Sequence, residues 1–202
     1  MTLKSKPVRT RAPRLDQEQR RAELLQCAIR IFARRGLGAG RHAEIAREAG
    51  VSVPAVFFYF PTREALVRAV LEEVARFLTG MAEEIHASDL PATEIVMRHA
   101  RTFVASVDTH PHYARVWLDW STAIREEVWP LYLGFQERMV ALIAKTITRG
   151  GGGNQRRRTA DAEDNARLIV GSAHMLAQMK FARMPPAKVD HFLHILIHDT
   201  IG

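Results

Sequence analysis

The chain has 202 residues, of which 47% are hydrophobic and one is a cysteine, so one large domain or two small ones are expected and an internal disulfide framework is excluded. No apolar run approaches a membrane span and no hydrophobic segment follows the basic N-terminus as a secretory signal requires, so a cytoplasmic protein without membrane contact is expected. Residues 1–76 hold 15 Lys and Arg against 8 Asp and Glu, while residues 77–202 hold 14 of each; the whole excess of +7 lies on the first segment, the footprint of phosphate binding rather than of a merely solubilising surface.

The first stretch, residues 1–14, reads MTLKSKPVRTRAPR. It is polar, basic and broken by proline, and cannot bury a core, so a mobile arm is expected. Arg9 and Arg11 flank Thr10 in the manner of short arginine arms that enter a minor groove. A tail without a role fits the composition equally well.

A helix is predicted from Asp16 to Arg35, with Leu24, Ala28, Ile31 and Phe32 on one face and Gly36 ending it. Leu37 to Arg41 is a glycine-rich link. No strand precedes GLGAG, so it is not a dinucleotide fingerprint.

His42 to Phe60, HAEIAREAGVSVPAVFFYF, reads as two short helices joined by a tight turn. Ala43, Ala46 and Ala49 offer the first a small apolar face, and Gly50 stands where a left-handed backbone closes it. Ser52 can cap the second helix, and Pro54 sits in its first turn, where a missing N–H matters least. This is the layout of a helix-turn-helix, whose second helix enters the DNA major groove. An ordinary helical hairpin is the alternative, and the charge asymmetry weighs against it.

Thr62 caps a long helix whose stripe includes Val67, Val70, Leu71, Val74, Phe77, Leu78, Met81 and Ile85. Further helices are predicted at Ala92–Val107, around Tyr113–Trp120, at Glu126–Arg149, Ala160–Arg183 and Ala187–Ile201. Gly150–Gly153 with Arg156–Arg158 reads as a flexible basic loop. No strand pattern and no internal repeat appear, so the chain is all-α.

Other chemistry is weakly signalled. His191, His194 and His198 share a face of the last helix but lack a clear fourth metal ligand. Glu83-x-x-His86 is a single copy of a motif that di-iron bundles need twice. Ser121 has no evident His and Asp partners. An enzyme is therefore not expected, and no cofactor is.

The stretch FARRGLGAGRHAEIAREAGVSVPAVFFYFPTREALV resembles the DNA-binding domain of the TetR family. WLDWSTAIREEVWP, Trp117 to Pro130, is similar to the quorum-sensing master regulators of its LuxR/HapR/SmcR subgroup. The two motifs cover about a quarter of the chain. The resemblance implies an all-α homodimer with an N-terminal three-helix helix-turn-helix domain and a six-helix ligand-binding and dimerisation domain. The expected division is an arm at 1–15, the DNA-binding domain at 16–62 and the remainder at 63–202.

By the same resemblance, Arg9 and Arg11 reach the minor groove, and Ser52, Val53, Pro54 and Phe58 lie on the reading helix. Tyr59 and Arg63 stand at phosphate-contacting positions. Phe58 replaces an asparagine and Pro54 an alanine, so the operator is expected to differ from the subgroup's. Trp117, Tyr132 and Gln136 fall where the subgroup lines its pocket, with Phe77, Phe103 and Met175 as apolar neighbours, and Ala173 replaces a pocket cysteine. The last two helices are expected to pair with a second copy through Leu168, Ile169, Met175, Leu176, Phe192, Leu193, Leu196 and Ile197. The expected partners are a palindromic double-stranded operator, a small apolar ligand and a second subunit. A helical-bundle enzyme with a basic appendage and a nonspecific DNA binder stand as the alternative functions.

Overall fold

The computed structural model describes residues 17–124, 127–149 and 155–201, with side chains from Asp161 onward in the last stretch. Among the described residues there are nine helices and no strand. They are α1 (Gln17–Arg35), α2 (His42–Ala49), α3 (Val53–Tyr59), α4 (Arg63–His86), α5 (Ala92–Thr109), α6 (Pro111–Thr122), α7 (Trp129–Thr148), α8 (Gln155–Phe181) and α9 (Pro186–Ile201). No helix of the described residues is long and apolar enough to cross a membrane.

The caps explain where the short helices begin and end. Gly50 closes α2 in the left-handed region at φ 65°, and the Val51 N–H reaches back to the Ala46 carbonyl at 2.9 Å. Ser52 and Thr62 accept hydrogen bonds from Ala55 N and Ala65 N, starting α3 and α4. Gly40 lets the α1–α2 link lie on α1: a Cβ there would come within 2.8 Å of the Phe32 ring.

One continuous core runs through the molecule, from Leu24 and Phe32 through Leu66 and Leu71 to Ile143 and Leu193. Within it α1 packs on α2, α4 and α6, while α5 is surrounded by α4, α6, α7, α8 and α9. The first three helices are therefore fastened to the rest through α4 and α6.

Several expectations shift. Ala43 is exposed, and the inner face of α2 is His42, Ile45 and Ala46. α7 starts at Trp129 rather than Glu126, with Pro130 in its first turn. Arg156–Arg158 lie on α8 and not in a loop, as residues of good helix propensity placed after a glycine run. Gly150–Gly153 lie outside the described residues, as do Arg9, Arg11 and the rest of the arm.

Candidate nucleic-acid interface and effector cavity

Of the seven residues of α3, only Val56 is buried. Ser52, Val53, Pro54 and Phe58 are exposed, and Tyr59 is half-buried. Phe58 is 68% exposed, its ring touching only the edge of Tyr59 at 5.0 Å. Phe57 does not join the core. It stacks on His42, ring centroids 4.1 Å apart, while His42 Nε2 donates to the Phe60 carbonyl at 2.8 Å. Phe60 alone of the aromatic run is fully buried. The outer face of α3 thus presents exposed apolar side chains beside the Ser52 cap.

The basic residues behind this face are partly spent on structure. Arg30 and Arg34 of α1 both bind Glu48 of α2, the first at 2.7 Å, and Arg35 binds Glu44 at 3.2 Å. Burial pushes the Glu48 carboxyl up, but its two arginine hydrogen bonds outweigh that and hold it below the usual range. Arg63 is likewise committed: its guanidinium donates to the Leu37 carbonyl at 2.7 Å, which pins the α1–α2 link to the start of α4. This bond engages one of the guanidinium's donors and holds Arg63 at the start of α4. Arg41 and Arg47 are exposed on the hairpin.

WLDWSTAIREEVWP does four separate things. Trp117 faces a cavity. The Asp119 carboxylate accepts from Leu37 N at 2.6 Å, gripping the same link that Arg63 holds. Trp120 Nε1 donates to the Val128 carbonyl at 3.0 Å, closing the loop between α6 and α7. The Trp120 ring then packs among Tyr132 and Phe135, and Trp129 stacks on Tyr132. Tyr113, also on α6, accepts from Gln26 of α1 at 2.8 Å and donates to Glu73 of α4 at 3.3 Å. α6 thus holds α1 and the α1–α2 link while contributing Trp117 to the cavity.

The cavity, about 60 Å³, lies among α4 to α9. Its wall includes Met81, His99, Phe103, Trp117, Met139 and Ala173. Of the residues expected to line it, Phe103 and Trp117 do so. Tyr132 is buried in the Trp120 aromatic cluster, Phe77 packs on His110 and Tyr113, Gln136 is half-buried away from the wall, and Met175 is 49% exposed. These four point inward or outward with their helices, but not into the empty space. His99 was not anticipated. Its signal was there, a polar residue within the inward stripe of Val96, Ala100 and Phe103.

His99 belongs to a buried relay. His99 Nδ1 lies 3.0 Å from His86 Nε2, and His86 Nδ1 lies 2.7 Å from Thr146 Oγ1. Burial drives both imidazoles well below the ordinary histidine value, His86 to about 4 and His99 to about 3, helped by Arg149 beside His86 and by the pair's mutual repulsion. Both are neutral when folded near pH 7. In the unfolded chain they take up protons once the pH falls below about 6.5. The unfolded state then binds more protons, so stability drops as pH falls from about 6.5 towards 4, by on the order of 2–3 kcal/mol for each of the two histidines. Urea unfolding across this window should show the slope in the parent protein and a reduced slope in His99→Phe; equal slopes would show that other groups set it.

The last two helices divide differently from expectation. Ile169, Leu176, Leu193 and Ile197 are buried within the subunit, and Leu196 lines the cavity, while Phe192 is half-buried. Exposed on these helices are Leu168 at 59%, Met175 at 49% and Ile195 at 49%. α8 and α9 must cover α5 as well as offer an outer face, so most of their apolar residues turn inward.

These features have counterparts in known proteins. The profile described as "Bacterial regulatory proteins, tetR family" matches residues 24–70, which span α2, α3 and parts of α1 and α4. The HTH-type transcriptional regulator LuxR of Vibrio harveyi is 41% identical over 141 residues, 68% of this chain and 69% of that protein. The HTH-type transcriptional regulator PksA of Bacillus subtilis is 26% identical over 113 residues, covering 56% of this chain and 55% of its own. A TetR-like transcriptional regulator from Rhodococcus sp. RHA1 superposes with a TM-score of 0.71 at 17% identity, covering 91% of this chain and 96% of its own. With the helix-turn-helix, the nine-helix order and the extent of these matches in agreement, the chain belongs to the TetR family of helix-turn-helix transcriptional regulators.

Proposed function

We propose that the protein is a homodimeric, effector-responsive regulator that reads a palindromic operator with α3. The observation that carries this reading is the outer face of α3: Val53, Pro54 and a 68% exposed Phe58 have no packing role among the described residues, and Ser52, beyond capping the helix, is exposed beside them. An apolar ring held out in water on a short helix gains a partner in the thymine methyl groups of a major groove. Tyr59 beside it offers a hydroxyl for the adjoining phosphate. Arg9 and Arg11 supply minor-groove contacts from the arm.

Leu168, Met175 and Ile195 supply the dimer face, and Gly171 between the first two is exposed with open space above it, which allows close approach of a partner helix. The effector cavity communicates through α6. Trp117 forms part of its wall, and two residues on Asp119 grips the link leading into the helix-turn-helix. An occupant that moves Trp117 shifts the same helix that sets the position of α2 and α3, so the two α3 helices of a dimer change their spacing on DNA. The similarity to a LuxR regulator makes quorum-sensing control the natural setting for this switch.

Electrostatics give the test. The +7 excess of residues 1–76 is present twice in a dimer, so log affinity for a selected palindrome should fall steeply and linearly with log salt, by about 0.9 per neutralised phosphate on duplex DNA. Removing residues 1–11 takes away Lys4, Lys6, Arg9 and Arg11 per subunit and should flatten that slope by several units without lowering the melting temperature. Affinity insensitive to salt, or an arm deletion that unfolds the protein, would refute the reading of this segment.

A further inference from the structure

Two side chains of the cavity wall, Trp117 and His99, carry N–H or ring-nitrogen groups, and the rest are aliphatic, phenyl or thioether. No Lys, Arg, Asp or Glu among the described residues lines it. Trp117 is 3% exposed, and its Nε1–H is shut from solvent with no acceptor among the described residues. A buried indole N–H ordinarily finds a partner, because leaving it unpaired forfeits the hydrogen bond it had to water. His99 offers the second group. Its Nδ1 is engaged by His86, so its Nε2 has no partner among the described residues.

The relay behind His99 determines what Nε2 can be. His86 bridges His99 and Thr146, and the Thr146 hydroxyl has two neighbours, His86 Nδ1 at 2.7 Å and the Leu142 carbonyl at 3.3 Å. With the hydroxyl proton on Leu142, His86 and His99 each donate from Nδ1 and His99 Nε2 is an acceptor. With that proton on His86, both rings carry theirs on Nε2 and His99 is a donor. Either way the ring is uncharged, since burial opposes its protonation.

We propose that the effector is an uncharged, largely apolar molecule that brings an acceptor oxygen to Trp117 Nε1–H and a second polar group to His99 Nε2, with His86 and Thr146 as positioning residues. A carboxylate or an ammonium group would be buried without a counter-charge and is rejected. The open space, about 60 Å³, is smaller than one aromatic ring needs, so an occupant must displace wall side chains. Met81 and Met139 are the flexible members of the wall that can yield, in a cavity that Trp117 of α6 also lines. This inference rests on the effector-responsive reading above and names the chemistry of that site.

The test uses the full-length protein and four probes of similar size at pH 6.5: ethylbenzene, acetophenone, 4-hydroxyacetophenone and benzoate. Binding is followed through the Trp117 indole N–H resonance, assigned with Trp117→Phe. Acetophenone should bind roughly tenfold tighter than ethylbenzene and move that resonance downfield, as one hydrogen bond to an otherwise unpaired donor implies. 4-Hydroxyacetophenone should gain several-fold more, and His99→Leu should remove that increment while leaving acetophenone binding in place. His99→Gln, which keeps a polar group, should retain part of it. Benzoate should not bind. Equal binding of ethylbenzene and acetophenone, tighter binding of benzoate, or no binding of any probe at millimolar concentration overturns the proposal. Oxygen-dependent probe binding with unchanged affinity for DNA upholds it and instead removes the effector-responsive reading.

Discussion

Replacing Leu168 and Met175 together by glutamate should convert the protein to a folded monomer and lower operator affinity by about 100-fold or more. Both side chains are about half exposed or more in the isolated subunit, so neither substitution opens a cavity in its core. In a dimer they are covered, and each fully buried side chain of this kind contributes about 1.5–3 kcal/mol. An isologous interface doubles every substitution, so four carboxylates would face one another near the twofold axis. The DNA consequence follows from linkage: two half-sites bound by one rigid dimer gain the effective concentration that two separate monomers lack. Sedimentation at micromolar concentration, with circular dichroism to check the helices, reads the first part. A substituted protein that remains dimeric would move the interface to another face.

Phe58→Asn should change which base is read rather than whether DNA is bound. Phe58 lies about one and a half turns into α3 from its cap, and among the described residues only the edge of Tyr59 meets its ring. A phenyl ring can contact a thymine methyl but cannot make the bidentate bond to adenine that asparagine makes. The parent protein should therefore favour A·T at that position through apolar contact, and the variant should acquire an adenine requirement worth about 1–3 kcal/mol per half-site. Because the residue is exposed, the variant's stability should stay within about 0.5 kcal/mol of the parent's. Base preferences that are identical for the two proteins at every position, with equal affinity, would make Phe58 a packing residue that waits for a protein partner.

The sequence showed most clearly what depends on neighbours along the chain. The stripe of α4, the Gly50 turn and the Ser52 and Thr62 caps follow from spacing within a few residues, and they stand as expected in the structure. What escaped depends on residues far apart. The Asp119–Leu37 bond joins positions 82 residues apart, and Arg63 meets Leu37 across 26. No local pattern in the chain announces either one. Arg63 reads as a free cation until the fold brings a carbonyl to it.

The cavity illustrates a second limit. Periodicity shows that Phe77, Phe103, Tyr132 and Phe135 turn inward, but not which of them borders empty space. Tyr132 turned inward into an aromatic stack, while Phe103 and Phe135 reached the cavity. α8 and α9 pose the same difficulty in reverse. Their apolar residues serve both the subunit's own core and an outer face, and only the packing of α5 against them separates Leu193 from Leu168. Ile195 was missed for that reason.

The central claim is that two copies of α3, set by a dimer, read a symmetric operator. Selection of bound sequences from a random pool of duplex DNA by the full-length protein at physiological salt tests it most directly. The expected result is enrichment of one palindrome, with half-site centres about one helical turn or a multiple apart, roughly 34 Å, and A·T pairs at the symmetric positions facing Phe58. A pool that stays unenriched while still binding, with random duplex competing as well as any selected sequence, would contradict it and leave a protein that holds DNA by charge alone.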